Sequence, residues 1–231
     1  NTNLTLSINS NLNVPLELFN KFISKLQYIQ AHRLVKDIVI FTSAESVGSQ
    51  AEYIRHGLNA DRLISNVERY LKEIPYRNSL TFIITMNNLS VLGLQDLLDF
   101  ILELRSRYST TYQRVWFDTP VLRTPSWQSM QLLPESYAFQ LEYARDWMQQ
   151  HIETPDTQFK GFKDYEVQRM DRDIAWMRDG KDLPKKYVEQ QMADFYRFFS
   201  EHDRRRGTDF LKTFPEMKSW WAECEYHARA A

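Results

Sequence analysis

Cysteine is nearly absent from this sequence, since Cys224 is the single cysteine among 231 residues. One cysteine cannot form an intramolecular disulfide, which excludes the disulfide frameworks of small secreted proteins. One cysteine also cannot hold an iron–sulfur cluster, because cluster iron needs several cysteine ligands that converge. We therefore expect a protein of the reducing cytoplasm, and any cluster chemistry requires cysteines from outside these residues.

Charge of one sign and long apolar runs are lacking as well. Lysine and arginine number 29 and aspartate and glutamate 30, which leaves a net charge of -1. Such a balance gives no field that steers the chain toward nucleic acid or anionic lipid. No run approaches the roughly 20 apolar residues that cross a bilayer, and residues 1–11 show no signal-peptide pattern. We expect neither nucleic acid nor a membrane as a partner.

Glycine and histidine are too sparse for two further kinds of site. The six glycines are not grouped into a phosphate-binding loop. The five histidines show no pair spaced as zinc ligands on one helical turn. We therefore expect no metal ligands in this chain.

The residues that are present predict an α/β protein, with 43% hydrophobic and 14% aromatic content for a sizeable core. In residues 1–154, short β-branched runs alternate with amphipathic stretches, which is typical of a parallel sheet with crossover helices. The predicted strands are Leu4–Asn9, Asp37–Ser43, Leu80–Met86 and Arg114–Asp118. The predicted helices begin near Pro15, Ala60, Leu92 and Pro134.

Strand patterns end after Thr154, and residues 155–231 predict a helical extension. Its predicted helices are Lys163–Arg178, Pro184 to about Arg206, and Pro215–His227. We therefore divide the chain into residues 1–154 and residues 155–231.

Polar residues follow all four predicted strands. Parallel sheets bind ligands beyond the carboxyl ends of their strands, because loops and helix N-termini converge there. Asn9, Asn11, Asn87 and Asp118 are therefore expected to line a cavity at this edge. The same residue types are also favoured in turns and at helix N-caps, so a purely local role stays open for each of them.

The stretch from Thr42 to Asn66 is the most informative part of the chain. Arg55 carries a forked guanidinium that can hold a carboxylate, while Ser43 and Glu45 can bond hydroxyl groups. These residues predict a site for an amino acid or a nucleoside. The alternative is that Arg55 pairs with Glu52 or with solvent.

This stretch resembles the matching part of radical S-adenosylmethionine (radical SAM) proteins that carry a twitch-type C-terminal extension. There, a strand ending in a Ser-x-Asp-like motif precedes a glycine, an E-Y-x-R-x-G turn and a helix with a late asparagine. The residues that carry the resemblance are Ser43, Glu45, Gly48, Glu52, Tyr53, Arg55, Gly57 and Asn66. The Ile8-Asn9-Ser10-Asn11 strand end, Leu132-Leu133-Pro134 and Phe214-Pro215-Glu216 are similar to further landmarks of that family.

The resemblance implies a partial parallel βα barrel, with four βα units visible here, followed by the helical extension. It also implies S-adenosylmethionine (SAM) at the strand ends, beside a [4Fe-4S] cluster held by a Cys-x-x-x-Cys-x-x-Cys loop. This chain has no such loop, and the register of the match implies that two earlier βα units are missing. We expect a missing N-terminal half or a partner chain at the edge Leu4–Asn9, since an unpaired edge strand invites another strand.

Carried over by residue, the resemblance implies that Ser43 and Glu45 approach the ribose or amino group of SAM and that Arg55 approaches its carboxylate. Glu45 is one methylene longer than the family's aspartate. Asn9, Asn11, Asn87 and Asp118 are expected to face the same cavity, toward SAM or substrate. Cys224, beside two tryptophans, is expected to be a packing residue.

We therefore expect the SAM-binding and substrate-shaping portion of a radical SAM enzyme, with a small-molecule or peptide substrate and a cluster supplied from elsewhere. By itself the chain is expected to be inactive. Two alternatives stay open: a non-catalytic scaffold subunit that keeps the fold without the cluster, and an α/β enzyme that uses the same cavity without SAM.

Overall fold

A four-stranded parallel sheet lies at the centre of the computed structural model, which describes residues 3–75 and 77–230. The strands are β1 (Thr5–Asn9), β2 (Asp37–Ser43), β3 (Ser79–Ile83) and β4 (Val115–Asp118). They lie side by side in chain order, and each pairs in parallel with the next. The β-branched and aromatic runs of the sequence thus form the strands, as predicted.

Helices connect the strands and make up the second half of the described chain. Those of the first half are α1 (Leu16–Ala31), α2 (Gly48–Ile54), α3 (Ala60–Glu73), α4 (Ser90–Tyr108) and α5 (Ala138–Gln150). Those of the second half are α6 (Asp164–Arg178), α7 (Lys185–Arg206), α8 (Phe210–Thr213) and α9 (Lys218–Ala230). None of the helices formed by residues 3–75 and 77–230 combines the length and apolarity that a bilayer crossing demands.

The two faces of the sheet differ in their cover. Alternate residues such as Ile40, Leu80 and Val115 are completely buried. The residues between them, such as Phe41 and Trp116, keep part of their surface exposed. Since successive side chains of a strand point to opposite faces, helices cover one face of the sheet and the other stays open to solvent. We call the face that stays open to solvent the accessible face.

Arg114 fixes the connection between α3 and β3. Its guanidinium donates to the carbonyl oxygens of Leu71 (2.7 Å), Ile74 (2.8 Å) and Asn78 (2.9 Å). The first two lie at the C-terminal end of α3, where carbonyl groups have no partner within the helix. Burial lowers the pKa of Arg114 below its usual value. A buried cation is tolerated here because three carbonyl dipoles point at it.

The segment that contains the E-Y-x-R motif is a helix rather than a turn. Sequence analysis interpreted Glu52–Arg55 as a short turn, but Glu52 and Tyr53 lie inside α2, and Arg55 follows its last residue. Seven residues are too few to show a clear helical period, so the pattern gave no helix signal. Tyr53 and Ala51 are the buried residues of this helix.

The apolar core continues from the first half of the chain into the second. Phe19 of α1, Ile40 of β2 and Trp220 of α9 belong to one cluster of buried side chains. A fully buried ion pair, Arg105 of α4 with Glu166 of α6, also joins the two halves. The predicted division at residue 154 is therefore crossed by packing and by charge.

Candidate functional site

The register of the sheet arranges the accessible face in rows. Ser43 pairs with Ile83, which pairs with Asp118, so these three form the row at the carboxyl end of the sheet. The next row contains Asn9, Phe41, Thr81 and Trp116. Neighbouring strands lie about 4.8 Å apart, so the hydroxyl of Ser43 and the carboxylate of Asp118 stand on strands about 10 Å apart.

The accessible face combines aromatic rings with polar side chains at its carboxyl edge. Phe41 and Trp116 present large apolar surfaces, and Trp116 also offers a donor on its indole ring. Toward the amino ends of the strands, Trp116 and Val39 line a hollow of about 390 Å³. This hollow lies toward the opposite end of the strands from the row of Ser43 and Asp118, so the hollow and the polar edge are separate features of the accessible face.

Glu45, two residues after the end of β2, forms a two-pronged ion pair with Arg55. Arg55 Nε and Nη2 each donate to a carboxylate oxygen of Glu45 at 2.5 Å. Glu45 is 3% exposed, whereas the Arg55 side chain keeps 34% of its surface exposed. Among the described residues no hydrogen bond involves Arg55 Nη1. The guanidinium is therefore fixed in direction and retains a donor for an incoming anion.

Glu52, the other carboxylate considered for Arg55, has a different partner. Its Oε1 accepts the backbone N–H of Ala60 at 2.9 Å, at the start of α3. Helix N-termini have backbone donors without partners, which a carboxylate satisfies. Glu52 therefore fixes the start of α3, and Arg55 pairs with Glu45.

Asn9 and Asn11 lie at the end of β1 and are both exposed. Asn11 Oδ1 accepts the N–H of Asn13 at 3.1 Å, which is a local turn bond. Asn9 occupies the same row of the accessible face as Phe41. Of these two residues, Asn9 is the one that the sheet itself directs toward the candidate site.

Two further asparagines hold the loop after β1 against α3 and the loop that precedes α3. Asn66 Nδ2 donates to the carbonyl oxygens of Leu12 at 2.7 Å and Val14 at 3.0 Å. Asn13 Nδ2 donates to the carbonyl of Gly57 at 2.8 Å. Sequence reasoning included Asn66 only within a motif and missed Asn13, because bonds between distant loops leave no local pattern.

Asn87 is committed to the start of α4. Its Oδ1 accepts the N–H groups of Leu89 at 2.9 Å and Ser90 at 3.2 Å, and its Nδ2 donates to Thr85 at 2.9 Å. The residue is only 5% exposed. The local role that the sequence left open for this asparagine is the one that its contacts describe.

Two arginines of the helical extension contact the carboxyl end of β4, where Asp118 lies. Arg169 Nη1 lies 2.9 Å from Asp118 Oδ1, and Arg172 donates to the carbonyl of Thr119 at 3.1 Å. Sequence reasoning missed both arginines. Their spacing of three on α6 places them on one helix face, which is a detectable signal, but their reach to β4 depends on tertiary packing.

Cys224 lies in the core and not at the site. The residue is completely buried. Burial raises the pKa of its thiol, and Glu223 raises it further. The thiol therefore keeps its proton at neutral pH, which fits a packing residue. No three His, Cys, Asp or Glu side chains within residues 3–75 and 77–230 come together as a metal site.

Comparison with known proteins adds no relative to this description. No protein-family model, no curated protein and no solved structure matches the chain significantly. The chemistry of the site is therefore argued from its own residues.

Proposed function

We propose that this chain is the SAM-binding and substrate-shaping portion of a radical SAM enzyme. The observation that carries the proposal is the carboxyl edge of the accessible face, where Ser43 and Asp118 share a row and Glu45, two residues after the end of β2, pairs with Arg55. SAM combines a nucleoside with an amino acid. The site offers rings and hydroxyl or carboxylate groups for the first part and a guanidinium for the second.

Each residue has a specific role in this proposal. Arg55 holds the methionine carboxylate through its remaining donor, and Glu45 keeps the guanidinium in position. Ser43 bonds the ribose or the amino group. Asn9 on β1 and Asp118 on β4 stand on either side of this edge, and Asn11 and Asn87 shape the loops beyond it.

The strand order supports a segment of a βα barrel. Strands that follow one another in chain order, with right-handed crossovers, place all connecting helices on one face of the sheet. The buried and accessible faces of β2–β4 fit this arrangement. In barrels of this kind, ligands bind at the carboxyl ends of the strands.

The residues present do not fit the iron–sulfur cluster of such an enzyme. A cluster needs several cysteine thiolates, and this chain supplies one buried thiol. We therefore assign no radical step to this chain. The cluster comes from residues outside the 231, on a preceding half or a partner chain, and the outer side of β1 is the sheet edge at which such a unit adds.

The proposal is tested by titrating the purified chain with SAM and with 5′-methylthioadenosine, which has the nucleoside but no carboxylate. We expect saturable binding of both ligands, with dissociation constants below about 1 mM. Arg55→Gln should weaken SAM binding about tenfold, as one lost charged hydrogen bond requires, and leave methylthioadenosine binding unchanged.

Arg229→Gln is the matched control, because Arg229 forms an exposed pair with Glu225 on α9. It should change neither affinity. The proposal is wrong if SAM does not saturate the chain in this range, or if Arg55→Gln leaves the SAM affinity at its wild-type value.

A further inference from the structure

The last turn of α2 sends three side chains to three different parts of the molecule. Glu52 and Tyr53 point about 100° apart on the helix, and Arg55 follows the last helical residue with an extended backbone, so the three side chains reach different partners. Glu52 bonds the start of α3, Arg55 bonds Glu45 after β2, and Tyr53 reaches α7. The E-Y-x-R motif is therefore a junction of three contacts.

The contact of Tyr53 is a hydrogen bond to Asp203. Tyr53 Oη donates to Asp203 Oδ1 at 2.8 Å. Burial raises the pKa of Tyr53, and the neighbouring carboxylate raises it further. The hydroxyl therefore keeps its proton and acts as a donor across the neutral pH range.

Asp203 is itself held by several donors of the helical extension. Thr208 Oγ1 donates to Oδ1 at 2.6 Å, and the backbone N–H of Phe210 donates to Oδ2 at 2.7 Å. The ring of His202 lies 3.4 Å from Oδ1 through its Nδ1. The carboxylate cannot move without breaking these bonds, so it is a fixed acceptor for Tyr53.

Three aromatic side chains pack around the ring of Tyr53. The Tyr53 ring centroid lies 4.6 Å from that of His202, 5.4 Å from that of Phe214 and 5.8 Å from that of Phe199. Tyr53 is 4% exposed. Tyr53 thus attaches helix α2 to the helical extension through its ring as well as through its hydroxyl group.

We infer that Tyr53 and Asp203 are positioning residues for Arg55. Arg55 follows Tyr53 by two residues, and its N–H bonds the carbonyl of Ala51 within the last turn of α2. A rotation of this turn moves the guanidinium away from Glu45. The helical extension therefore sets the direction of the anion-binding arginine, although it contributes no atom to that ion pair.

This inference concerns the SAM site of the proposed function, but the positioning itself is measurable without any ligand. Because the Arg55 Nε–H is bonded to Glu45, we expect it to exchange with water more slowly than the N–H of a free guanidinium. The exchange rate of this N–H, measured by NMR on the chain without ligand, therefore reports whether the Arg55–Glu45 ion pair is intact.

The test compares two deletions of a single hydroxyl group. Tyr53→Phe removes the bond to Asp203, and Tyr196→Phe removes an equal bond of 2.8 Å from Tyr196 to Glu225, between α7 and α9. We expect Tyr53→Phe to speed Arg55 Nε–H exchange roughly threefold to tenfold, the ratio for one net hydrogen bond. Tyr196→Phe should leave the rate unchanged.

A second variant keeps the test decisive if Tyr53→Phe folds poorly. Asp203→Asn retains an oxygen acceptor and loses the charge, so the exchange rate should fall between those of the wild type and Tyr53→Phe. A purely structural role predicts lower thermal stability with the wild-type exchange rate, and that result in both variants overturns the inference.

SAM titration separates this inference from the proposed function. Tyr53→Phe should weaken SAM binding roughly threefold to tenfold and spare methylthioadenosine. If the wild type does not bind SAM, the proposed function fails while the exchange measurement still decides the role of Tyr53. If the wild type binds SAM and the exchange rate does not respond, only the positioning role fails.

Discussion

Arg105 and Glu166 form an ion pair with no exposed side-chain surface, and it is the residue-level contact whose loss should cost most. Arg105 Nη1 and Nη2 bond the carboxylate at 2.9 and 2.6 Å, and Nε donates to the carbonyl of Val115 at 3.0 Å. The rings of Phe117 and Phe162 lie at 5.6 and 5.3 Å from the guanidinium carbon. Each of the three guanidinium nitrogens thus donates to a partner, which is what a buried cation requires.

We expect Glu166→Gln to lower the free energy of unfolding by about 3–5 kcal/mol, because the arginine is left buried without its counter-charge. The control is Glu17→Gln, which breaks an exposed pair with Lys21. Such surface pairs contribute less than about 1 kcal/mol. Urea unfolding measures both. A loss for Glu166→Gln no larger than that of the control would refute the role of this pair in joining α4 to α6.

His202 should make the stability depend on pH. Burial lowers the pKa of His202, the charges of Arg206 and His56 lower it further, and the carboxylate of Asp203 raises it. The unfolded chain then binds more protons than the folded one between the lowered pKa and the usual value near 6.5. The contribution of His202 is complete above that value and is lost as the pH falls through the window below it.

We therefore expect the wild type to lose more unfolding free energy between pH 7 and pH 5 than His202→Gln does. Because the two proteins share all their other titrating groups, the difference between their slopes isolates the contribution of His202. Equal slopes for His202→Gln and the wild type would disprove this dependence.

Single polar residues at strand ends show where sequence reasoning reaches its limit. Sequence reasoning placed Ser43 and Asp118 at the carboxyl ends of their strands, and the register puts them in one row of the accessible face. Asn87 satisfied the same pattern but serves the start of α4. Turn chemistry and ligand binding select the same residue types, so the sequence cannot separate them.

Helix α4 packs against the start of α2 at Gly93, and this contact between two elements tolerates no side chain. A Cβ at this position would lie 1.9 Å from Ser46 Oγ and 2.7 Å from Ser46 Cβ. We expect Gly93→Ala to cost about 1–3 kcal/mol of stability, as overpacking does. The helix would have to move away from the site loop that contains Glu45.

Gly207→Ala is the matched control, because Gly207 has a φ of +66° and nothing within 4 Å of a new Cβ. Its cost comes from backbone conformation alone, about 1 kcal/mol. Both values come from urea unfolding. A loss of unfolding free energy for Gly93→Ala no larger than that of the control would show that the close contact between α4 and the start of α2 does not contribute to stability.

The strands and most helices could be predicted because their signals are local. The four strands are confirmed, as are the helix starts near Pro15 and Ala60. Helix α2 was missed because seven residues give no period. The arginines of α6 at the rim of β4 were missed because their contacts span about 50 residues of sequence.

For the molecule as a whole, the continuous core leads us to expect one cooperative unfolding transition. The pairs Arg105–Glu166 and Tyr53–Asp203 both cross residue 154. Near-ultraviolet circular dichroism follows the aromatic packing and far-ultraviolet circular dichroism follows the helices. The two transitions should coincide. Separate transitions would support two independent domains, residues 1–154 and 155–231.

The accessible face is the feature of the whole molecule on which the proposed function depends, and reductive cleavage of SAM tests it most directly. The complete gene product, with any residues that precede Asn1, is reconstituted anaerobically with iron and sulfide and supplied with a reductant. We expect a cysteine-bound cluster and equal amounts of methionine and 5′-deoxyadenosine, with Arg55→Gln needing more SAM for the same rate. The proposal would be contradicted if no cluster forms on the gene product either alone or together with its partner chain, or if the loaded protein leaves SAM intact.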